Sequence, residues 1–468
     1  MEVNILETTI VKAANDKEET SSPPGQRLWL SNLDLVHGRI HLPLLFLYKR
    51  DPNSLASHDF FDARLLKEAL SQALVPFHPL AGRLARDEKG RIEVDCNDEG
   101  VLFREAEAPE IGLDEIDDFM PASELLKLVP RVDYAEEISS YPLLLLQVTR
   151  FKCNGVCLGI GTHHSLSDGQ SLMNFINTWS DMARGLPPIA TPFLDRTILR
   201  ARSPPSPKFH HTENDPPQTL INNNNDLKNP TQTVPKNPTT MSIVTFTPDQ
   251  VRALTKKCAN PSNNNNSNVR YSTYQIMTAH IWRCASRARG LADDQPTRLH
   301  ISVDGRSRLV NRQPFPVHYF GNVIFHATTT VKAGELVSEP IARTVERIRR
   351  AINTMDDEYL RSTVDYLEDP NDPAGVMQVP GTCRSPNLKI ISWIRLPFEY
   401  SDFGWGKPVS YRPANLFEGK GNLMHGTDGS LSLVICLEEG AMAAFRKLVH
   451  DDDVGGRCSE RSATSSRL

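Results

Sequence analysis

The chain has 468 residues and a formal net charge of −5 at pH 7, and 39% of its residues are hydrophobic. This length exceeds one ordinary hydrophobic core and predicts two large domains, and the acidic balance argues against nucleic acid as a partner. Eight scattered cysteines without a CxxC pair indicate a reducing compartment. Neither a signal-peptide core nor an apolar run of membrane-spanning length is evident, so we expect a cytoplasmic protein without a membrane span.

The N-terminal half predicts a mixture of strands and helices. Residues 62–74 carry one apolar face at helical spacing, formed by Leu65, Leu66, Ala69, Leu70 and Ala73. Two apolar runs on either side of Asn154-Gly155 predict a β-hairpin with a type I′ turn. A second helical pattern follows Asp168 and continues to residue 183.

The stretch between that hairpin and that helix, residues 161–171 (GTHHSLSDGQS), holds the main candidate for chemistry. The strand ends at His164, and Asp168 stands where it could cap the helix. At this point His164 could be a catalytic base, a metal ligand or simply a histidine at a strand end. A metal site built from His163, His164 and Asp168 is disfavoured, because adjacent histidines on a strand point to opposite faces.

Residues 203–240 are rich in proline and asparagine and almost free of apolar periodicity, which predicts a linker or a long crossover. We therefore divide the chain into an N-terminal domain, a linker, a C-terminal domain and a disordered tail, at residues 1–205, 206–240, 241–450 and 451–468. His210 and His211 fall in the linker, where we expect solvated side chains.

Two further features belong to low-complexity segments. An asparagine-rich tract at residues 260–268 predicts a mobile loop between two helices. The last three residues, Ser466-Arg467-Leu468, resemble the Ser-Lys-Leu address of peroxisomal proteins. This tripeptide leaves a peroxisomal location as the alternative to the cytoplasm.

The C-terminal half repeats the mixed pattern. Two capping boxes predict helix starts, Thr247-Pro248-Asp249-Gln250 and Ser272-Thr273-Tyr274-Gln275. Strands are predicted at residues 241–246, 298–303, 321–331, 387–394 and 431–437, and helical stretches at 335–367 and 440–449. Both halves are therefore predicted to be α/β, and ligand pockets are commonly built between two such halves.

A motif near the C-terminus, Asp402-Phe403-Gly404-Trp405-Gly406, accompanies the His164-x-x-x-Asp168-Gly sequence. Together they resemble the two signature motifs of the plant BAHD acyltransferases, which transfer acyl groups from coenzyme A (CoA) thioesters. The resemblance extends over nearly the whole chain, through LWLSNLDL (28–35), LVPFHPLAGRL (74–84), INTWSDMARG (176–185), VDGRSRL (303–309), YFGNVIF (319–325) and SWIRLP (392–397). Within the family, the chain is most similar to the hydroxycinnamoyl-CoA:shikimate/quinate hydroxycinnamoyltransferases.

The resemblance implies an α/β fold with two pseudo-symmetric mixed-sheet domains and a channel between them, the fold of the CoA-dependent, chloramphenicol acetyltransferase-like acyltransferases. CoA is expected to enter the channel from one face and the acceptor from the other. Acyl-CoA is a substrate, so no cofactor is expected, and no metal is expected either. Nothing in the sequence demands more than a monomer. Its expected product is a hydroxycinnamoyl ester of shikimate, quinate or a similar hydroxy acid.

The resemblance also implies roles for individual residues. His164 is expected to act as the general base, since imidazole titrates near neutral pH. Asp168 is expected to pair with an arginine, for which Arg306 is the first choice and Arg308 the second. Arg395 is expected to bind the acceptor carboxylate through its bidentate guanidinium. Asp402, Gly404 and Trp405 are expected to be architectural, with Trp405 near the channel wall.

One segment departs from the pattern of the shikimate enzymes. Their His-Thr-Pro-Ser-x-Tyr sequence, which supplies hydroxyls to the acyl and acceptor pocket, is replaced here by an apolar version with His41, Leu42, Leu44 and Phe46. A pocket without hydrogen-bond partners holds a polyol poorly. A polyamine such as spermidine, or an alcohol, therefore remains the alternative acceptor.

Two other interpretations compete with an acyltransferase of this family. The HHxxxDG sequence also resembles the condensation domains of peptide synthetases, although those lack the DFGWG partner motif. A non-catalytic binding protein on the same fold is the second rival. The intact His164 and Asp168 argue against it.

Overall fold

A computed structural model describes residues 1–14, 26–50, 60–116, 120–188, 190–215, 237–258, 270–310, 314–368, 381–426 and 429–451. The asparagine-rich tract at 260–268, most of the predicted linker and Ser466-Arg467-Leu468 lie outside these residues. Among the described helices, none has the length and apolar character needed to cross a membrane.

The N-terminal half contains most of a six-stranded sheet and a small three-stranded one. Its strands are β1 (Asn4–Val11), β2 (Arg27–Trp29), β3 (His41–Tyr48), β4 (Arg83–Arg86), β5 (Ile92–Asp95), β6 (Val101–Ala108), β7 (Leu144–Phe151) and β8 (Val156–His163). Its helices are α1 (Asn32–Leu35), α2 (Ala63–Leu74), α3 (Ala122–Leu125) and α4 (Gly169–Ala183). The small sheet has the order β2-β5-β4.

The C-terminal half contains the second six-stranded sheet. Its strands are β9 (Thr239–Phe246), β10 (Pro296–Asp304), β11 (Ile324–Lys332), β12 (Leu388–Ser392), β13 (Ser410–Pro413), β14 (Lys420–His425) and β15 (Leu431–Glu438). Its helices are α5 (Pro248–Cys258), α6 (Thr273–Ala288), α7 (Ala333–Ser338), α8 (Ile341–Asn353), α9 (Asp357–Tyr366) and α10 (Glu439–Leu448).

Both large sheets are mixed, as predicted. The N-terminal sheet has the order β1-β6-β7-β8-β3-β13, and the C-terminal sheet has the order β11-β10-β12-β14-β15-β9. Parallel pairs join β6 to β7 in the first sheet and β10, β12 and β14 in the second. β13 corrects the division by residue number, because it comes from the predicted 241–450 domain and pairs with β3.

The helix starts that were predicted from capping boxes are confirmed. The capping box at Ser272 is formed, and Thr247 and Gln250 exchange the same reciprocal hydrogen bonds. The hairpin joins β7 to β8, but only Asn154 has a positive φ, 59°, so its turn is not type I′. The region predicted to be helical at 335–367 contains three helices, because Pro340 and Asp356 each precede the start of a new one.

His211 is a second correction. It was expected to be solvated, but it is fully buried. Its ring nitrogens lie 3.0 Å from a carboxylate oxygen of Glu213 and 2.9 Å from the hydroxyl of Ser362. The described part of the linker therefore packs against α9.

Candidate active site

His164 lies at the junction of the two halves, directly after β8. Its backbone amide donates to the carbonyl of Ile40 at 3.0 Å, which extends the pairing of β8 with β3. Its ring stacks on His37, with 4.2 Å between ring centroids and 3° between planes. His163 faces the other way, toward His41 at 5.3 Å. The two histidines thus point to opposite faces, as the strand geometry requires.

The electrostatic surroundings keep His164 neutral. Burial, assisted by the positive charges of Lys420 and Lys389 and opposed by Asp168, lowers the pKa of His164 to about 4. Burial also lowers the pKa of His163. At neutral pH both rings are therefore uncharged, and His164 is able to accept a proton.

Asp168 is held from three directions. It caps α4 by accepting from the amide of Ser171 at 3.0 Å, and it accepts from the amide of Val323 at 3.0 Å. Arg306 donates to its two oxygens at 2.8 and 3.0 Å. The predicted ion pair with Arg306 is therefore present, and the second choice, Arg308, instead donates to the carbonyls of Ile352 and Met355.

A second set of contacts, which the sequence analysis did not assign, supports the backbone of His164. The side-chain amide of Asn322 donates to the His164 carbonyl at 2.8 Å and to Asp34 at 2.9 Å. Asp34 also forms a fully buried ion pair with Arg196 at 3.1 Å. We call Asp34, Asp168, Arg196, Arg306 and Asn322 the paired network. The sequence predicted the pairing of Asp168 with Arg306, whereas Asp34 and Asn322 appeared there only within the strings LWLSNLDL and YFGNVIF.

On the other side of His164 lies a group of basic side chains that the sequence analysis also missed. We call His37, His300, His326, Lys389 and Lys420 the basic cluster. The ring of His326 meets that of His37 edge-on at 5.9 Å, and Nζ of Lys389 lies 3.5 Å from Nε2 of His326. His300, Lys389 and Lys420 lie opposite one another on β10, β12 and β14.

The predicted acyl-pocket residues do not share one face. His41 is turned away from the other three, and its ring nitrogens lie 2.8 Å from the Tyr134 hydroxyl and 2.9 Å from the Pro142 carbonyl. Leu44 and Phe46 are buried in the N-terminal hydrophobic core. Leu42 remains 37% exposed. His41 thus lies on the opposite face of β3 from the other three, and among these four side chains Leu42 is the exposed one.

Arg395 lies in the turn that follows β12 and is exposed. Within the described residues it makes no hydrogen bond or ion pair. Its expected role in binding the acceptor carboxylate stays a prediction.

The DFGWG motif forms a tight loop against the N-terminal half. Asp402 accepts from the amides of Gly404 and Gly406 at 2.8 and 2.9 Å, and both glycines have φ near +100°, at 101° and 102°. Such angles strain any residue with a Cβ. Trp405 stacks on Phe61 at 5.1 Å. Its ring therefore packs against the N-terminal hydrophobic core. Among the described ring contacts, none joins Trp405 to His164.

The same residues do not suggest a metal centre. Among the described residues, no group of three or more histidine, cysteine, aspartate or glutamate side chains could hold a metal ion.

Comparison with known proteins agrees with this geometry. The model of the Transferase family matches residues 1–452. A shikimate O-hydroxycinnamoyltransferase of Nicotiana tabacum is 46% identical over 456 residues, which cover 96% of this chain and 100% of that protein. The chain belongs to the BAHD acyltransferase family. As a member of that family, it is a CoA-dependent acyltransferase.

Two further matches describe the range of this BAHD family. A hydroxycinnamoyl-CoA:5-hydroxyanthranilate N-hydroxycinnamoyltransferase of Avena sativa is 43% identical over 459 residues, covering 96% of this chain and 100% of that protein. The crystal structure of vinorine synthase matches with a TM-score of 0.70 and 23% identity, covering 95% of this chain and 96% of that one. The predicted fold of the CoA-dependent acyltransferases is therefore confirmed.

Proposed function

We propose that this BAHD acyltransferase moves a hydroxycinnamoyl group, of the p-coumaroyl or caffeoyl type, from its CoA thioester to a hydroxyl of shikimate, quinate or a similar hydroxy acid in phenylpropanoid metabolism. The observation that carries the proposal is His164, a neutral imidazole held at the junction of the two halves. The names of the tobacco and oat relatives support the hydroxycinnamoyl donor.

In the proposed reaction, the acceptor hydroxyl gives its proton to His164 as its oxygen attacks the thioester carbonyl carbon. Nδ1 of His164 is buried, so Nε2 is the nitrogen left to accept that proton. The carbon–sulfur bond then breaks, and the proton passes from His164 to the departing thiolate, which yields an ester and free CoA. Because donor and acceptor are held together in a ternary complex, no covalent intermediate and no cofactor are required.

Asp168 does not share the proton transfer in this mechanism. Its oxygens already accept from Arg306 and from two backbone amides. We propose that it fixes the turn after His164, as Asn322 fixes the His164 carbonyl. Both act as positioning residues.

The basic cluster bears on the second candidate, transfer to an amine. Lys389 and Lys420 would repel a polyamine such as spermidine, because like charges facing one another in a buried site cost several kcal/mol. An aromatic amine that also carries a carboxylate, such as the one named for the oat relative, meets no such obstacle. We therefore keep a carboxylated amine, and not a polyamine, as the second acceptor.

The experiment is a mass-spectrometric screen of the purified protein with p-coumaroyl-CoA against shikimate, quinate, 5-hydroxyanthranilate, spermidine and an aliphatic alcohol. We expect an ester of shikimate or quinate, and a kcat about 10²–10⁴-fold lower for His164→Ala. The matched control is His163→Ala, which removes a histidine of the opposite face and should retain activity. A His164→Ala protein with wild-type kcat would refute the base, and a spermidine amide as the main product would refute the acceptor.

A further inference from the structure

The two faces of the C-terminal sheet differ in chemistry. Because side chains alternate along a strand, Leu299 and Ile301 point one way from β10, and His300 points the other. The apolar face packs under helices α6, α8 and α10 as the C-terminal core. The opposite face carries His300, Lys389 and Lys420 in a row across three neighbouring strands, with His326 on the adjacent β11.

That polar face is buried and lies against the N-terminal half. Lys389 is 5% exposed, and the ring contacts of His326 with His37, and of His37 with His164, connect the row to the reacting histidine. His37, His300, His326 and Lys389 are therefore buried at the site, whereas Lys420 is partly exposed.

No acid among the described residues balances this charge. The ionised groups that act on His37, His326 and Lys389 are all cationic or histidines, apart from the Cys383 thiol near Lys389. Among the described residues, buried ring nitrogens of His37 and His326 have no hydrogen-bond partner, and neither does the side-chain oxygen of Asn422 on β14. Burial lowers the pKa of His37, His300 and His326, so these rings are uncharged and Lys389 is the buried cation of the cluster. Buried cations in folded proteins are normally paired, and no described carboxylate pairs with Lys389.

The hydrogen bonds within the cluster show what kind of partner fits. If Lys389 donates to Nε2 of His326 at 3.5 Å, then Nδ1 of His326 carries the ring proton and is a donor. Lys389 keeps further N–H groups free for a ligand. The ring proton on Nδ1 of His326 then points away from Lys389, so the free N–H groups of Lys389 are the donors that a carboxylate meets at this face.

We propose that the basic cluster is an anion subsite that binds a carboxylate of the substrate reacting at His164, with Lys389 as its direct ligand. The inference rests on the proposed function, and it deepens it by separating this subsite from Arg395. From Lys389 to Ser392 the strand alone spans about 10 Å, and Arg395 lies three residues beyond, in an exposed turn. The basic cluster and Arg395 therefore contact different parts of a bound substrate.

The subsite also has a consequence for the base. The charges of Lys389 and Lys420 are among the causes that lower the pKa of His164. A bound carboxylate offsets those charges and returns the pKa of His164 toward its ordinary value. The imidazole thereby becomes a stronger base when the correct substrate is present.

The test measures equilibrium binding by calorimetry with two matched pairs of ligands. One pair is shikimate and its methyl ester, which asks whether the carboxylate belongs to the acceptor. The other is malonyl-CoA and acetyl-CoA, which asks whether it belongs to the acyl group. Proteins compared are the wild type, Lys389→Met, and Lys332→Met, a control that removes an exposed lysine from the end of β11.

We expect Lys389→Met to weaken binding of the carboxylated member of one pair by about 30-fold or more, and to leave its uncharged partner unchanged. Lys332→Met should behave like the wild type. If Lys389→Met does not fold, Lys389→Gln, which keeps a polar side chain and removes the charge, carries the same expectation. The subsite is refuted if, for both ligand pairs, Lys389→Met binds the carboxylated member as tightly as the wild type does.

These outcomes separate the subsite from the proposed function. Shikimate that binds in a Lys389-dependent way, without product from any donor, leaves the subsite standing and refutes the hydroxycinnamoyl transfer. A shikimate ester that forms equally well in Lys389→Met, with unchanged preference for shikimate over its methyl ester and unchanged binding of malonyl-CoA, refutes the subsite and leaves the transfer standing.

Discussion

The paired network and the basic cluster lie on two sides of the same histidine, and they treat buried charge in opposite ways. In the paired network, Asp34 and Asp168 each meet an arginine and backbone or amide donors. In the basic cluster, ring nitrogens are left without partners, and no described carboxylate faces Lys389. A buried charge that is paired supports structure, whereas one left unpaired is costly to the fold and makes sense only with a ligand.

Breaking the paired network should have the largest effect on stability. Arg306→Met leaves Asp168, whose side chain is 1% exposed, as an uncompensated buried charge. Loss of one partner of a buried pair costs about 3–5 kcal/mol in the free energy of unfolding. Urea denaturation measures this loss. Arg350→Met serves as the control, because Arg350 pairs with Glu346 while 77% exposed, and such surface pairs contribute ~0–1 kcal/mol. An equal loss in both variants would contradict the structural role of Arg306.

Asn322→Ala should weaken the same network at the point where it meets His164. The variant removes the side-chain donor of the His164 carbonyl, whereas Asp34 keeps Arg196 and the backbone amide of residue 322. A buried acceptor left without its donor costs about 1–3 kcal/mol of stability. Because the His164 ring then loses its fixed position, we expect kcat to fall more than KM changes. Steady-state kinetics at saturating donor would show this, and a raised KM with unchanged kcat would argue against positioning.

Lys389→Met should act in the opposite direction. The pKa of Lys389 is lowered to about 8 by burial, so its charged form is disfavoured in the folded state. Stability is therefore reduced at pH below about 8 and recovers as the pH rises through 8 toward the unfolded value near 10.4. We expect the variant to gain about 2 kcal/mol at pH 7, with the gain fading by pH 10. Thermal unfolding at both pH values measures it, and a lower Tm at pH 7 would contradict an unpaired charge.

The smallest expected effect concerns the pH dependence of kcat/KM. Charged and titratable groups facing His164 are His37, Lys389, Lys420 and Asp168. Activity should fall only as the pH drops toward the His164 pKa of about 4, since the protonated ring no longer accepts a proton. Removing a positive charge in Lys389→Met should move this acid limb to higher pH. An unchanged limb, with folding checked by circular dichroism, would show that Lys389 does not act on His164.

Much of the fold and half of the site could be predicted from the sequence. Strand and helix positions followed from periodicity and caps, and the Asp168–Arg306 pair followed from a resemblance between two motifs far apart in the chain. The error at His41 was avoidable, because a strand places His41 on one face and Leu42 on the other. His211 was predicted to be solvated because its neighbours in the sequence are polar. Its partner Ser362 on α9 lies 151 residues further along the chain, so no local pattern could indicate the contact.

The basic cluster could not be found this way. His37 follows α1, and His326, Lys389 and Lys420 lie on three different strands. No spacing along the chain connects them. They meet only because the parallel pairing of β12 with its neighbours sets the register of their side chains.

Selection of an anionic acceptor by the basic cluster is tested most directly by a competition experiment. Limiting p-coumaroyl-CoA is mixed with equal concentrations of shikimate and spermidine, and the products are quantified by mass spectrometry. An unpaired basic cluster beside His164 predicts the shikimate ester in large excess, with that excess reduced in Lys389→Met. A spermidine amide as the main product, or a product ratio that Lys389→Met leaves unchanged, would contradict the claim that this cluster selects an anionic acceptor.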